Sequence, residues 1–234
     1  MLPILYQDQH YVAINKPPGM LVHRTSIARD ATEFALQTLR DQLGQQVSPI
    51  HRIDRKTSGI VLFSLNSKAH VKAQKLWQEN NIEKLYLAIS RGITPSEGII
   101  NHPLVNDRGK SQEAITQYRQ IATAALDKYT GQDTTSSYSL LLLKPITGRM
   151  HQIRKHLKHL RHPIIGDRPY GCNKQNRIFK NRWQMNTMML HALQLTFIHP
   201  YTQKEIIFKA PLPSDFEKVI QIMNWPEIQT FTWQ

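Results

Sequence analysis

The sequence predicts an α+β fold, with a mixed and mainly antiparallel sheet and flanking helices. Segments with strand character follow one another in series with only a few helical segments between them, and they do not form repeated strand–helix–strand units. No glycine-rich fingerprint of the GxGxxG or GxxxxGK[ST] type follows any strand. A bound dinucleotide or nucleoside triphosphate is therefore not expected.

The N-terminal part predicts strands and helices in alternation. YVAIN (11–15) has strand character and runs into a Pro-Pro-Gly turn. Helical signals follow over residues 32–43, GIVLFSL (59–65) has the composition of a buried strand, and the segment from residue 66 to 80 predicts a helix capped by its first Asn or Ser. The polar segment HRIDRKTSG is then a loop that leads into a buried strand.

The segment EKLYLAISRG (83–92) predicts a strand. Its leucines and isoleucine share one face, so alternation places Lys84 and Tyr86 together on the other face. Further strands are expected at 114–122 and 138–145, separated by the polar loop 126–137.

A basic amphipathic helix is expected between Gly148 and Pro163. Its apolar positions recur at helical spacing, and its basic face consists of His151, Arg154, Lys155 and Lys158. A hairpin with its turn near 199–203 and a C-terminal helix over 213–223 complete the predicted order.

Composition limits the class of protein. The 234 residues include 40% hydrophobic residues and a single cysteine, Cys172, which excludes an intramolecular disulfide and favours a cytoplasmic protein. The first residues do not have the pattern of a signal peptide, and no stretch is apolar for long enough to span a membrane.

A net charge of +13 indicates a polyanionic partner. From Lys144 to Arg182 every charged residue except Asp167 is positive. That distribution favours a surface that follows RNA phosphates over a general role in solubility.

Asp54 stands alone among Arg52, Arg55 and Lys56 in the segment HRIDRKTSG. Taken by itself it is most simply a turn carboxylate paired with a neighbouring arginine. Histidines at 151, 156, 159 and 162 would be scattered around the helix axis, and no HExxH motif or set of acidic ligands accompanies them, so no metal is expected. No GxSxG motif indicates a serine hydrolase.

Five blocks change the interpretation of Asp54. INKPPGMLVH, HRIDRKTSGIVLF, EKLYLAISRG, KPITGRMHQIRKHLKHLRHPIIGDRPYG and LHALQLTFIHP resemble, in order and spacing, the RluA-type pseudouridine synthases. The resemblance covers nearly the whole chain and implies the pseudouridine synthase fold with a central RNA-binding cleft. It also implies that uridine is isomerised to pseudouridine without a cofactor or a metal.

The resemblance assigns roles to individual residues. Asp54 matches the essential aspartate, Arg154 the arginine that pairs with it and Tyr86 the active-site tyrosine. Arg52 matches the residue that takes the space of the flipped base, while Ile153 matches one that packs on the uracil, although it could equally be a plain core position. Three further residues are expected to bind substrate: Lys84, Arg149 and His151.

Within the family the compact chain most resembles members that act on tRNA, which implies uridine 65 as the target. The same chemistry on ribosomal RNA and a noncatalytic RNA-binding protein of this fold remain alternatives. Residues 1–234 are expected to form one catalytic domain without an N-terminal RNA-binding appendage, active as a monomer.

Overall fold

A computed structural model describes residues 1–24, 32–79, 81–126, 136–226 and 233. The helices and strands in these residues confirm the α+β prediction. In chain order they are β1 (Ile4–Gln7), β2 (Tyr11–Lys16), α1 (Ala35–Leu43), β3 (Ser48–Pro49), β4 (Ser58–Ser64), α2 (Ser67–Gln78), β5 (Ile82–Arg91), β6 (Glu97–Asn101), β7 (Leu104–Val105), β8 (Ser111–Gln112), β9 (Ile115–Leu126), β10 (Ser136–Pro145), α3 (Gln152–His159), α4 (Asn173–Trp183), β11 (Leu190–Ile198), β12 (Glu205–Lys209) and α5 (Ser214–Ile222).

The chain divides into two compact units. The first comprises Met1–Lys84 and His191–Leu212, and the second comprises Leu85–Leu190 and Pro213–Gln234. That the whole chain acts as one catalytic domain stays a prediction.

The sheet of the first unit has the strand order β1-β2-β4-β11. β3 pairs with β4 and β12 pairs with β11, and these pairings are antiparallel like those of β1 with β2 and of β2 with β4. The pairing of β4 with β11 is parallel and joins Ser58 to His191 and Gly59 to Ala192.

Gly59 allows β4 and β11 to approach closely at this point. Its φ of 108° lies in the left-handed region, and a Cβ atom there would collide with the backbone carbonyl of Ala192. The start of β4, where the HRIDRKTSG loop ends, is therefore fixed against β11.

The first unit has a core of aromatic and aliphatic side chains on one face of its sheet. β4 is buried along its whole length, which confirms the prediction for this strand. α2 packs on the core through Ala69 and Ala73, and it begins as predicted because the side chain of Asn66 accepts a hydrogen bond from the Ala69 backbone N–H at 2.9 Å. α1 begins at Ala35, later than predicted, because Phe34 is extended and forms a β-bridge with Leu21.

The sheet of the second unit is antiparallel, with the order β5-β10-β9-β6, and β7 and β8 form a small separate ribbon. The leucines at 140–143 in β10 are all buried, so both faces of this strand are covered. Leu85, Leu87 and Ile89 of β5 are buried as predicted. The strands on either side of the predicted loop are confirmed, while residues 127–135 of that loop lie outside the described residues.

α3 differs from its prediction in length and in its polar face. It spans only Gln152–His159, because His151 adopts a left-handed φ of 56° and Arg161 one of 64°. Of the predicted basic face, Arg154 is buried, and so is His156 on the same helix. The ring of His156 is held by Thr116 Oγ1 at 2.9 Å and by the carbonyl of His102 at 3.0 Å.

α4 was missed by the sequence prediction. Only Gln175 and Phe179 of this helix are buried, so it carries almost no apolar periodicity. The hairpin of β11 and β12 and the helix α5 are confirmed. Within the described ranges no helix is both long and apolar enough to cross a membrane.

Candidate active site

The predicted site residues fall into two sets. One set belongs to the first unit: Arg52, Asp54 and Lys84. The other set belongs to the second unit: Tyr86, Arg149, His151, Ile153 and Arg154. That the two sets form one active site is part of the proposal below.

Asp54 lies in the turn that precedes β4, as predicted, and it is half-buried. The backbone N–H of Thr57 donates to the carbonyl of Asp54 at 3.1 Å and closes the turn. Arg52 is exposed, whereas Ile53 between them is 8% exposed and anchors the loop in the protein. The loop therefore offers Asp54 and Arg52 outward from a fixed base.

Lys16 ties this loop to the N-terminal strand, and the sequence prediction did not single it out. The side chain is fully buried at the end of β2, and Nζ donates to the carbonyls of Pro17 at 2.8 Å, Met20 at 2.8 Å and Arg55 at 3.2 Å. A lysine that ends an apolar strand before Pro-Pro-Gly is the sequence signal that could have indicated this role. The ammonium group thus links two loops through their backbones.

The same two loops are joined directly. The backbone N–H of Gly19 donates to the Arg55 carbonyl at 2.8 Å, and Nε of Arg55 donates to the Gly19 carbonyl at 3.0 Å. Burial lowers the pKa of Lys16 to about 7, while the negative charge of Asp54 acts in the opposite direction. Lys16 and Asp54 are therefore electrostatically coupled.

Two neutral histidines fix the ends of the loop. Nε2 of His51 accepts the backbone N–H of Leu62 at 3.1 Å, and burial, with a further contribution from Lys84, lowers the pKa of His51 to about 3. At the other end His191 Nδ1 and Ser58 Oγ are hydrogen-bonded at 2.9 Å, and burial lowers the pKa of His191 to about 4. Both rings therefore serve as uncharged hydrogen-bonding groups near neutral pH.

Lys84 is half-buried beside an aromatic pair. The rings of His51 and Trp77 stack with their centroids 4.3 Å apart, and Lys84 Nζ lies 5.3 Å from the Trp77 ring centroid. Burial lowers the pKa of Lys84. Lys84 thus combines a cation–π contact with a position close to the start of the Asp54 loop.

In the second unit Arg154 is held by a carboxylate that the sequence prediction did not include. Nε donates to Asp167 Oδ2 at 2.8 Å, and Nη2 donates to Asp167 Oδ1 at 2.9 Å. The Tyr170 ring lies over the guanidinium group, with 5.0 Å between Cζ and the ring centroid. Tyr170 also hydrogen-bonds through its hydroxyl to Nδ1 of His151 at 3.0 Å, so His151 and Arg154 belong to one cluster.

The remaining residues of the second set differ in exposure. Ile153 is 6% exposed and Tyr86 is half-buried on β5, opposite Leu143 of β10. Arg149 is exposed, and its Nε donates to the Glu113 carbonyl at 2.9 Å.

The outer face of α4 is a basic surface. Its exposed cations are Lys174, Arg177, Lys180 and Arg182. Asp167 is the only acidic residue between Ser136 and Lys204, and it is buried against Arg154. The cations on α4 therefore have no acidic neighbour in this part of the sequence.

In the part of the chain that the structure describes, no three His, Cys, Asp or Glu side chains are grouped so that they could hold a metal ion.

Replacing Lys16 with Met should lower the free energy of unfolding by about 2 kcal/mol or more. The substitution keeps an unbranched side chain but removes the donor for three carbonyls. Urea unfolding measures the change, and Lys68→Met on the exposed side of α2 is the matched control, expected to change stability by less than about 0.5 kcal/mol. Equal effects of the two substitutions would contradict the role of Lys16.

The difference in stability between wild type and Lys16→Met should also depend on pH. The pKa of Lys16 is about 7 in the folded protein and near its ordinary value of 10.5 in the unfolded chain. Between these two pH values the unfolded chain therefore binds more protons than the folded protein. Wild-type stability relative to the variant should therefore rise between about pH 7 and pH 10, by at most about 1.4 kcal/mol per pH unit. A constant difference would mean that burial does not depress the pKa of Lys16.

Comparison with known proteins gives consistent matches. Residues 10–159 match the family model described as RNA pseudouridylate synthase. The chain is 40% identical to tRNA pseudouridine synthase C of Vibrio parahaemolyticus, with 97% of this chain and 96% of that protein covered, and 43% identical to tRNA pseudouridine synthase C of Pasteurella multocida, with 96% and 97% covered.

Solved structures agree with the sequence relatives. Human RNA pseudouridylate synthase domain containing 4 superimposes with a TM-score of 0.72 at 26% identity, covering 95% of this chain and 93% of that chain. Human RNA pseudouridylate synthase domain containing 1 gives a TM-score of 0.71 at 25% identity, with 96% and 95% covered. The family match, the relatives and the fold together show that the chain belongs to the RNA pseudouridylate synthase family.

Proposed function

We propose that the chain isomerises a uridine of tRNA to pseudouridine and that the target is position 65. The observation that carries the proposal is the half-buried carboxylate of Asp54 on a loop that Lys16, His51 and the Ser58–His191 pair hold in place. The tRNA substrate is supported by full-length relatives that are tRNA pseudouridine synthases. Because the proposed substrate is tRNA, we expect the protein in the cytoplasm.

The reaction is an isomerisation and consumes no co-reactant. The bond between N1 and C1′ breaks, the uracil turns, a bond forms between C5 and C1′, and the proton on C5 leaves while N1 gains one. A positioned carboxylate suffices for assistance at the sugar, and the net composition of the nucleotide is unchanged. The chain's own residues therefore supply binding, orientation, charge and proton acceptance.

Asp54 assists cleavage of the glycosidic bond and must be ionised to do so. Arg154 pairs with this carboxylate and supplies the positive charge beside it. Arg52, exposed next to Asp54, fills the space of the flipped base, and Ile153 packs on the uracil.

Tyr86 accepts the C5 proton directly or through water. A phenol with an ordinary pKa near 10 is a weak base at neutral pH, so a nearby cation is needed to favour its ionised form. Lys84 follows the same strand face as Tyr86 and is the candidate for this task. Arg149 and His151 contact the RNA around the target.

The target can be identified by carbodiimide-based mapping of pseudouridine in RNA from cells that lack the protein. Loss at a single tRNA position supports the proposal. Loss at a ribosomal site would replace tRNA with ribosomal RNA as the substrate.

Asp54→Asn should reduce turnover below detection while tRNA binding is retained. The amide keeps the shape of the side chain but has no ionised oxygen. Release of tritium from tRNA that contains 5-tritiated uridine measures turnover, and filter binding measures affinity. Asp41→Asn, an exposed position on α1, is the matched control and should leave both quantities unchanged. Turnover of Asp54→Asn within tenfold of wild type would refute the assignment.

Replacing Arg161, Lys174 and Arg177 together with Gln should weaken the salt dependence of tRNA binding. All three are exposed, and each lost phosphate contact reduces the slope of log K against log salt by about 1. The expected reduction is therefore about 2–3 for the triple variant, measured between low and moderate salt.

The matched control for this surface removes the same charge elsewhere. Lys68, Lys72 and Lys75 are exposed on α2, so their triple replacement with Gln lowers the net charge equally. An equal loss of slope in both triple variants would show that net charge, and not the basic surface around α4, determines binding.

Tyr86→Phe should bind tRNA with normal affinity but lose tritium release far beyond the few-fold effect of a packing change. Phenylalanine keeps the ring, which could stack on the flipped base, and removes only the oxygen that accepts the proton. Tyr6→Phe is a suitable control, because it also removes a single phenolic oxygen, here one that donates to Asp8 at 2.8 Å. Near wild-type release by Tyr86→Phe would make Tyr86 a stacking platform.

A further inference from the structure

We propose that Asp167 is the positioning residue that sets the orientation of Arg154 for the reaction. The inference rests on the proposed role of Arg154 and adds a carboxylate to the machinery of the second unit. Asp167 would act through Arg154 and not by touching the substrate.

The geometry of the ion pair constrains the whole guanidinium group. Two nitrogens of Arg154, Nε and Nη2, each donate to a separate oxygen of Asp167, at 2.8 and 2.9 Å. Because a guanidinium group is planar, this bidentate contact fixes its plane and with it the direction of Nη1. A single hydrogen bond would leave the group free to turn.

Both partners are buried: the Arg154 side chain is 7% exposed and that of Asp167 is 1% exposed. Burial of two charges costs desolvation energy that roughly offsets their attraction, so such a pair is a poor device for stability alone. A fixed geometry at a reacting centre is a better explanation for its presence. The resemblance supports this view, because Arg154 matches the arginine that pairs with the essential aspartate.

The loop that carries Asp167 is itself anchored on both sides. Asn176 of α4 accepts the backbone N–H of Gly166 at 2.8 Å through Oδ1 and donates to the Asp167 carbonyl at 2.7 Å through Nδ2. A Cβ atom at Gly171 would collide with that same carbonyl. The backbone of Asp167 is therefore held by one side chain and closely covered by the chain that follows.

Tyr170 closes the site around the pair. Its backbone N–H donates to Asp167 Oδ1 at 3.3 Å, and its ring covers one face of the Arg154 guanidinium group. The carboxylate thus restrains the edge of the guanidinium and the aromatic ring restrains a face. Together these contacts leave Arg154 a single orientation.

The test compares Asp167→Asn, which removes the charge, with Asp167→Glu, which keeps the charge but displaces the carboxylate. In single-turnover tritium release each variant should slow the reaction at least tenfold at pH 7, with the dissociation constant for tRNA within threefold of wild type. The loss should therefore lie in the rate of the reaction and not in tRNA affinity, because Arg154 is misplaced while the RNA-binding residues are unchanged. Asp167→Glu keeps the proposal testable if the uncharged variant fails to fold.

Two comparisons separate positioning from a purely structural role. Asp167→Asn combined with Arg154→Met should be no slower than Arg154→Met alone, because Asp167 acts through Arg154. Asp8→Asn removes a carboxylate that contacts buried His199 at 2.9 Å in the first unit, and it should lower the thermal midpoint without slowing single-turnover release at a temperature where the variant is folded.

Wild-type rates in both Asp167 variants, with Arg154→Met inactive, would overturn the positioning role and leave the proposed function standing. Full activity of Arg154→Met would instead remove Arg154 from the proposed function, and the inference about Asp167 would fail with it. A tenfold slower reaction in folded Asp8→Asn would also overturn the inference, because loss of stability alone would then explain the slower rate.

Discussion

Lys16 brings a positive charge into the interior of the first unit, and the carbonyl oxygens around it come from the two loops that meet beside Asp54. A buried ammonium group is tolerated only where its donors are satisfied, so the loops cannot separate without leaving that charge unsolvated. The position of the Asp54 backbone follows from this constraint. His51 and the Ser58–His191 pair then fix the two ends of the same loop without adding charge.

The second unit holds its buried cation, Arg154, by a different interaction. Lys16 is a compact donor that backbone carbonyls can surround, whereas Arg154 has a planar group that a carboxylate can hold by two bonds at once. The first arrangement defines where a loop lies, and the second defines the direction in which a side chain points. The two units therefore contain different kinds of order: a fixed backbone around Asp54 in the first and a fixed guanidinium orientation at Arg154 in the second.

The sequence predicts the longer strands well because burial leaves a clear signal: GIVLFSL and the leucines of β10 are both continuous apolar runs. It predicts α2 for a different reason, the capping residues Asn66 and Ser67 at its start. α4 could not be predicted, since it buries a single apolar side chain, Phe179, and begins after Cys172, which makes no side-chain capping hydrogen bond. Asp167 was recognised only as an exception in a basic segment, because a pairing between a loop and α3 depends on tertiary structure that local sequence patterns do not encode.

Because Asp167 is buried, it can hold Arg154 without lowering the positive charge of the basic surface on α4. Paired with Arg154 at hydrogen-bonding distance, it forms a neutral unit whose field falls off faster than that of a single charge. An exposed acid in the same segment would instead neutralise the cations on α4 and repel phosphates. Asn176 connects the two properties, because it lies on α4 and holds the backbone of Asp167. One short helix thus presents positive charge to solvent on its outer face and supports, through Asn176, the backbone of the carboxylate that holds Arg154.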